Sequence, residues 1–438
     1  MNNAVSGFSK LSKQEKINWI AANYFSNAAH AKSIIQNYWN KDENLQQLHD
    51  DFIENTITNF YLPFGIAPNF LINGNYYTVP MVIEESSVVA AAAKSAKFWS
   101  TRGGFKTSVI NSEKIGQVHF MFLGSAEKLA LFFTKIKTKF FTDTQSITQN
   151  MQKRGGGILN IELKNKTSDL HNYYQLHATF ETKDSMGANF INSCLEQFAK
   201  TLKHEALSYD DFSEDEKHIE VIMSILSNYV PNCIVRTEVS CKIDDLKDKG
   251  IDNPHAFVQK MIQAIKIAEI EPYRAVTHNK GIMNGVDAVI LATGNDFRAV
   301  EAGIHAYASR NGSYSSLSHA KIENDIFTFW MEIPLAIGTI GGLTTLHPMV
   351  KIALEILEKP SAHQLMQIVA SVGLAQNFAA LRSLTTTGIQ EGHMKMHINN
   401  ILNQFNTSAD ERKIIRSHFE KQTISHAAVV AFIENLRK

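Results

Sequence analysis

The chain has 438 residues, with 43 Lys plus Arg balancing 43 Asp plus Glu, and 44% of its residues are hydrophobic. That length suggests two to four domains at roughly 100 to 200 residues each, and a zero net charge provides no global field to draw the chain to nucleic acid or an anionic membrane, so any anionic ligand must be met locally. Apolar runs fall far short of the ~20 residues that span a bilayer, and the first residues lack a secretory signal, so a cytoplasmic protein is expected.

In chain order, Ser12-Lys-Gln-Glu15 has the spacing of a capping box opening a helix through Ile17, Ile20 and Ala21, and helical periodicity continues to about Phe60. Residues 76–83 read as a strand from their aromatic and β-branched content, and residues 88–98 as an alanine-rich helix. Glu85 falls at the junction of those two elements. Residues 116–123 alternate like a strand, 127–140 have helical spacing, 158–163 and 174–180 form a hairpin, 186–202 are helical, and 219–226 are a last apolar run. The order βαββαβ is the ferredoxin-like split pattern. Arg154-Gly-Gly-Gly157 is then a flexible loop leading into a strand rather than a Rossmann fingerprint. Further helices are expected near 254–267, 298–309 and 349–357, and the chain is mostly helical from Ala375 onward.

These patterns give an α+β fold. A large mixed α/β domain is built from residues 1–111 and 227–374, a ferredoxin-like unit of residues 112–226 is inserted into it, and a helical C-terminal flap covers 375–438. Cys194, Cys233 and Cys241 have no close spacing and are expected as buried thiols. The 17 histidines include no zinc-spaced motif, so no metal is expected.

Polar groups concentrate in two stretches, Glu271-Pro-Tyr-Arg-Ala-Val-Thr-His-Asn-Lys-Gly-Ile-Met-Asn-Gly285 and Ala292-Thr-Gly-Asn-Asp-Phe-Arg298. Lys280, between Asn279 and Gly281, is read as the tip of a glycine-bounded turn. Asp296 follows the apolar run 288–292, read as a strand, and precedes a helical pattern through Val300, Ile304 and Tyr307, where an acid caps or meets a ligand. Taken singly, each has an ordinary reading: Lys280 solvates a loop, Asp296 only caps, and Glu85 beside Glu84 is a solvated acid. Likewise His393, with His397 one turn on, fits a surface helix.

Read together, the two stretches resemble the signatures of the hydroxymethylglutaryl-coenzyme A (HMG-CoA) reductase family, in its soluble, bacterial-type class II. The resemblance extends along the chain through Glu54-Asn-Thr-Ile57, Val79-Pro-Met-Val-Ile-Glu-Glu-Ser-Ser-Val-Val-Ala90, Asp184-Ser-Met-Gly-Ala-Asn189, Gly338-Thr-Ile-Gly-Gly342, Val372-Gly-Leu-Ala-Gln-Asn377 and Gly388-Ile-Gln-Glu-Gly-His-Met394. It implies a four-electron reduction of HMG-CoA to mevalonate and coenzyme A with two NAD(P)H, or the reverse oxidation. Lys280 would stabilise the oxyanion. Glu85 would donate a proton, its protonated form favoured by burial beside Asp296, and Asp296 would also orient Lys280. His393 would protonate the departing coenzyme A thiolate.

By the same resemblance Arg274, Asn284 and, less securely, Ser87 bind the substrate, the planar fork of Arg274 suiting its free carboxylate. Asp184, Met186, Gly187 and Asn189 bind the dinucleotide. Thr144, Ser146 and Thr148, with Lys135, Lys137, Lys139, Lys153 and Arg154 nearby, favour NADPH over NADH, since an acid at the 2′ position would repel a phosphate. A homodimer or a multiple of dimers is implied, with HMG-CoA, mevalonate and coenzyme A as partners and neither nucleic acid nor membrane. Two other readings stay open: a lysine Schiff-base acyl-CoA lyase or aldolase, and a catalytically silent binding homologue.

Overall fold

The structure, a computed structural model, describes residues 4–386, 398, 401–419 and 425–437. The chain divides into two units, Met1–Pro63 and Phe64–Lys438.

The first unit holds α1 (Lys13–Tyr24), α2 (Ala28–Asn37) and α3 (Glu43–Asp50). The capping box forms as spaced: Ser12 Oγ accepts from Glu15 N, and Glu15 Oε2 accepts from Ser12 N at 2.7 Å. Helix does not continue to Phe60. Asp51 closes α3, Asn55 turns left-handed at φ 57°, and the following backbone is claimed by side chains of the preceding segments: Trp39 Nε1 donates to Ile57 O at 2.9 Å. The Glu54-Asn-Thr-Ile57 box is therefore a turn, whose Thr56 hydroxyl donates to Ile53 O at 2.8 Å.

The second unit opens with the antiparallel hairpin β1 (Phe64–Ile72) and β2 (Asn75–Val82), then α4 (Val88–Ser100) and β3 (Lys106–Val109). Asn73 and Gly74, both at positive φ, make the hairpin turn, an Asn-Gly signal for two-residue loops. Next come β4 (Lys114–Met121), α5 (Ala126–Asp143), α6 (Gln145–Gln152), β5 (Gly157–Asn165), β6 (Tyr173–Glu181), α7 (Ala188–Leu207), α8 (Glu214–Lys217) and β7 (Glu220–Leu226). Their sheet is antiparallel in the order β5-β6-β4-β7, and strands and helices alternate along the chain as the periodicity indicates. Phe120, Phe132, Phe140, Phe180 and Phe198 fill its own separate core.

The chain continues with β8 (Ile234–Lys242), α9 (Pro254–Ile270), α10 (Pro272–Ala292), α11 (Phe297–Ala308), β9 (Ser318–Glu323), β10 (Ile326–Pro334), α12 (Leu343–Leu346), α13 (Pro348–Ile356) and α14 (Ala362–Thr385). β3-β8-β10-β9 form an antiparallel sheet whose inner face, with Phe327, Phe329, Met331 and Ile333 alternating along β10, packs under α14. α14 runs unbroken across position 375, because fifteen of its residues are buried along its length. Helices Ala409–His418 and His426–Leu436 close a small core of their own around Leu402, Ile415, Val429 and Ile433.

Two expected features are replaced here. Lys280 lies inside the 21-residue α10, not at a turn, and residues 288–292 are the last turn of that helix rather than a strand. Glu271 caps it by accepting from Arg274 N at 3.0 Å, Pro272 starts it, and Gly285 serves packing. A Cβ on Gly285 would stand 2.9 Å from Val372 O and 3.0 Å from Gln376 Cβ on α14. Glycine there is a requirement of close helix approach.

Gly338 has the same role between loops. A Cβ there would lie 2.4 Å from Met186 N, where Thr339 N donates to Asp184 O at 2.8 Å. Gly338→Ala should therefore cost about 1–3 kcal/mol as an overpacked contact; a denaturant midpoint unchanged from wild type would contradict the tight fit. α10 and α11 meet through a pair of acids, Asp287 and Glu301. Burial, a hydrogen bond shared with Glu301 and that group's charge push Asp287 from 3.8 up to about 8. The fold thus prefers Asp287 protonated, and the stability this provides is lost as pH climbs from about 4 to about 8. Asp287→Asn should melt higher than wild type above that window, with the gap narrowing at acid pH; a pH-independent gap in melting temperature would refute the pairing.

Candidate active site

Glu85 sits in the two-turn bend between β2 and α4, as expected for an element junction. The bend ends at Ser87, which enters α4 with left-handed backbone at φ 78° and its hydroxyl turned back to Ser86 O. α4 is anchored by Val88, Ala92, Ala96 and Trp99 on its buried face, which fixes where the bend emerges.

Across from it, α10 presents Lys280. The two residues before Lys280 are buried and tied: His278 Nε2 meets Ser318 Oγ at 2.7 Å, Ser318 Oγ donates to Asn377 Oδ1 at 2.7 Å, and Asn279 Nδ2 donates to Ser315 O at 2.9 Å. Burial first, then the charges of Arg274 and His319, push His278 down to about 3, so it is neutral at working pH. With that side of α10 locked, the Lys280 ammonium projects outward and donates to Glu85 Oε2 at 3.0 Å. Its side chain is 60% exposed and that of Glu85 38%, so the burial expected for Glu85 is not present here.

Glu85, Ser87, Gly281 and Asn284 line one cleft with Gln376 and Phe378 of α14. Gln376 is buried and its Oε1 has no partner among the described residues, which leaves an acceptor facing that space. Lys94, Lys249 and Arg382 edge the same cleft, and Arg382 is held by Asp248 at 2.7 Å. Sequence reasoning singled out none of these three cations. Their only signal is position, which depends on α4 and α14 meeting.

Asp296 is placed differently from expectation. Its Oδ1 caps α11, accepting from Arg298 N at 3.0 Å and Ala299 N at 3.2 Å, and its Oδ2 pairs with Arg298 at 3.1 Å. A carboxylate at a helix start is drawn to the free amides and the positive end of the dipole. Among the described residues no hydrogen bond joins Asp296 to Lys280 or Glu85. Its neighbour Asn295, not singled out in the sequence, accepts from Gly338 N at 2.8 Å and so ties the 292–298 loop to the Gly338 loop. Arg274 is half-buried, and among the described residues its guanidinium meets no carboxylate; burial pushes it below the usual arginine range.

The Asp184-Ser-Met-Gly-Ala-Asn189 segment is the turn between β6 and α7. Gly187, at φ 86°, is the N-cap, and Asn189 stands exposed in the first turn. Asp184 Oδ1 accepts from Ala362 N at 2.8 Å, so that carboxylate caps α14. An uncapped glycine start on a 20-residue helix offers free amides to a phosphate-bearing ligand. Of the basic and hydroxyl groups expected near a 2′-phosphate, several are committed elsewhere. Thr144 and Thr148 are fully buried and donate to their own helix carbonyls, Lys137 donates to Asn160 Oδ1, and Lys139 pairs with Glu205. Lys153 and Arg154 remain exposed beside Gly155.

His393 lies outside the described residues. Among the described residues no group of three or more His, Cys, Asp or Glu side chains is placed to hold a metal ion, and no helix is long and apolar enough to cross a membrane.

A family model described as hydroxymethylglutaryl-coenzyme A reductase matches residues 12–398. The 3-hydroxy-3-methylglutaryl-coenzyme A reductase of Archaeoglobus fulgidus is 36% identical over 414 residues, covering 94% of this chain and 89% of its own. A probable reductase of the same name from Borreliella burgdorferi is 34% identical over 388 residues, covering 88% and 85%. Among solved structures, the reductase of Streptococcus pneumoniae superposes with a TM-score of 0.73 at 32% identity, over 99% of this chain and 100% of that one. The class II reductase from the same organism, bound to NADPH in open conformations, gives 0.72 at 32% identity over 98% and 100%. With matches that run along nearly all of its length and through the segments that frame Lys280 and Glu85, the chain belongs to the hydroxymethylglutaryl-coenzyme A reductase family.

Proposed function

We propose that this chain converts HMG-CoA to mevalonate and free coenzyme A at the cleft between α4, α10 and α14, using two reduced nicotinamide dinucleotides. The observation that carries the reading is the 3.0 Å contact between Lys280 and Glu85 on the wall of a cleft that also holds Asn284 and Ser87. A cation and an acid so paired can answer the two needs of a carbonyl being reduced, a partner for the developing alkoxide and a proton to neutralise it.

The remaining assignments follow the same logic. Lys280 faces the oxyanion, and Glu85 passes it a proton. Asp296 orients Lys280 once its pair with Arg298 is exchanged. His393 protonates the leaving thiolate. Arg274, half-buried and without a carboxylate partner among the described residues, takes the free carboxylate of the substrate, while Asn284 and Ser87 hold its polar groups. Lys94, Lys249 and Arg382 supply the local positive charge that a phosphorylated acyl carrier needs from a chain with no net charge. Residues 1–111 and 227–374 serve as the substrate-binding domain, 112–226 as the dinucleotide domain, and 375–438 as a flap. Ile270 and Tyr273, 82% and 89% exposed at the α9–α10 corner, support burial in a homodimer.

The dinucleotide supplies hydride. Gly187 at the start of α7, with Met186 and Asn189 beside it, offers the amides and close approach that its phosphates require, and the NADPH-bound Streptococcus pneumoniae relative supports the same class of ligand. With Thr144 and Thr148 buried, Lys153 and Arg154 become the groups for a 2′-phosphate, and NADPH is favoured.

The test is absorbance at the nicotinamide band after HMG-CoA is added to the wild-type chain. Loss of absorbance that depends on HMG-CoA is expected with NADPH, and Lys280→Met should lower kcat by roughly 10²- to 10³-fold. Silence with both NADPH and NADH would defeat the reading. Replacing Lys153 and Arg154 together by alanine should raise KM for NADPH about tenfold, the scale of one charged contact, and leave NADH nearly untouched; equal effects on both would remove them from the 2′ site.

A further inference from the structure

A buried ammonium lies beneath the loop that carries Met186 and Gly187. Lys114 opens β4 and is only 5% exposed, yet no carboxylate lies within ion-pair distance among the described residues. Its Nζ donates instead to Thr182 Oγ1 and, at 2.9 Å, to Ser185 O. Thr182 Oγ1 donates to the same carbonyl at 2.7 Å, so lysine and threonine converge on one oxygen. A Cβ on Gly187 would stand 2.4 Å from Thr182 Cγ2, so the position of Thr182 determines how the chain enters α7.

The surroundings do not otherwise account for a charge at this point. Glu181 is occupied by Ser112 Oγ at 2.6 Å and Lys183 N at 2.7 Å, and Asp184 by Ala362 N. The lysine stem borders an apolar cavity with Ile115, Met186, Ile191 and Val300, where a methionine would fit without any desolvation cost. Burial lowers the Lys114 pKa, while Cys233, Glu181 and Asp184 oppose that from a distance. A cation retained under such conditions holds a shape that neutral packing would leave loose.

We propose that Lys114 is a positioning residue for the dinucleotide: by fixing Thr182 Oγ1 and Ser185 O it sets the turn that aims Gly187 and the first amides of α7 at the ligand. This rests on the reading of that turn as the dinucleotide site. A merely structural tie would lower stability and affect both substrates alike. A positioning role acts on dinucleotide affinity and spares the other substrate.

The experiment titrates NADPH into wild type, Lys114→Met, Thr182→Val and Thr182→Ser by nicotinamide fluorescence, and measures KM for HMG-CoA in each. Lys114→Met and Thr182→Val should weaken NADPH binding at least about tenfold, the scale of a charge-assisted hydrogen bond. KM for HMG-CoA should stay within about twofold of wild type, well below that loss, and Thr182→Ser should restore tight binding. If Lys114→Met does not fold, Thr182→Val decides. NADPH affinity near wild type in the folded variants, an equal rise in KM for HMG-CoA, or loss of fold in both variants overturns the proposal. A wild-type chain that binds neither NADPH nor NADH overturns the dinucleotide reading itself, which sets that failure apart from a failure of Lys114 alone.

Discussion

The approach of α10 to α14 is the contact on which the site depends. Gly285 of α10 lies against Val372 O and Gln376 Cβ, and Gly373 of α14 would meet Val286 Cγ2 and Met331 Cε at 2.9 Å if it carried a Cβ. Each glycine inside a helix sacrifices about 1 kcal/mol of helix propensity. The return is an inter-helix distance short enough for Asn284 on one helix and Gln376 on the other to line the same cleft. A side chain at either point would spread the helices and carry Lys280 away from Glu85.

Distance alone does not aim a side chain; rotation of α10 about its axis must also be fixed. Apolar burial of Ile282, Met283, Val286 and Val289 gives a broad preference, and directional bonds narrow it. His278 and Asn279 reach β9 and the loop before it through Ser318, Ser315 and Leu317, and Asn377 on α14 closes that network. A neutral His278 suits this role, because a charged imidazole in that setting would have to be desolvated without a counter-ion. Lys280, the next residue, then leaves the helix on the side of Glu85.

A second set of ties joins the turn before α7 to the same region. Asp184 accepts from the first amide of α14 through its side chain and from Thr339 N and Ile340 N through its carbonyl, while Gly338 N donates to Asn295, the neighbour of Asp296. Three motifs far apart in the chain thus share one continuous run of hydrogen bonds. Lys114 secures the start of that run from below. The turn before α7 and the Asp296 loop are held by adjacent residues of one loop, Thr339 and Gly338, so segments distant in the chain keep one geometry.

Local patterns were legible wherever the determining partners were near in sequence. The capping box at Ser12, the alanine-rich α4 and the alternation along β4 and β6 all state their own periodicity, and Glu85 at the β2–α4 junction follows from it. The Asn73-Gly74 hairpin was equally readable and went unread, as did the alternating buried residues of β10. The resemblance named Lys280, Asn284, Ser87 and Gly187 as candidate site residues without revealing their setting. Tertiary structure decided the rest. A glycine in this stretch signals a turn or a helix crossing with the same letters, and for Gly285 it is Val372 and Gln376, distant in sequence, that select the crossing. An acid at a helix start can serve a ligand or its own helix, and here Asp296 caps α11 and pairs with Arg298, two residues on. A threonine or lysine near a proposed phosphate is available only if no other partner has claimed it, and Thr144, Thr148 and Lys139 are claimed. The sequence by itself determined which groups are present and, where periodicity is local, which elements carry them; three-dimensional packing decided the setting of Lys280 and which groups remain free, because hydrogen bonds and burial are set by neighbours that chain order does not bring together.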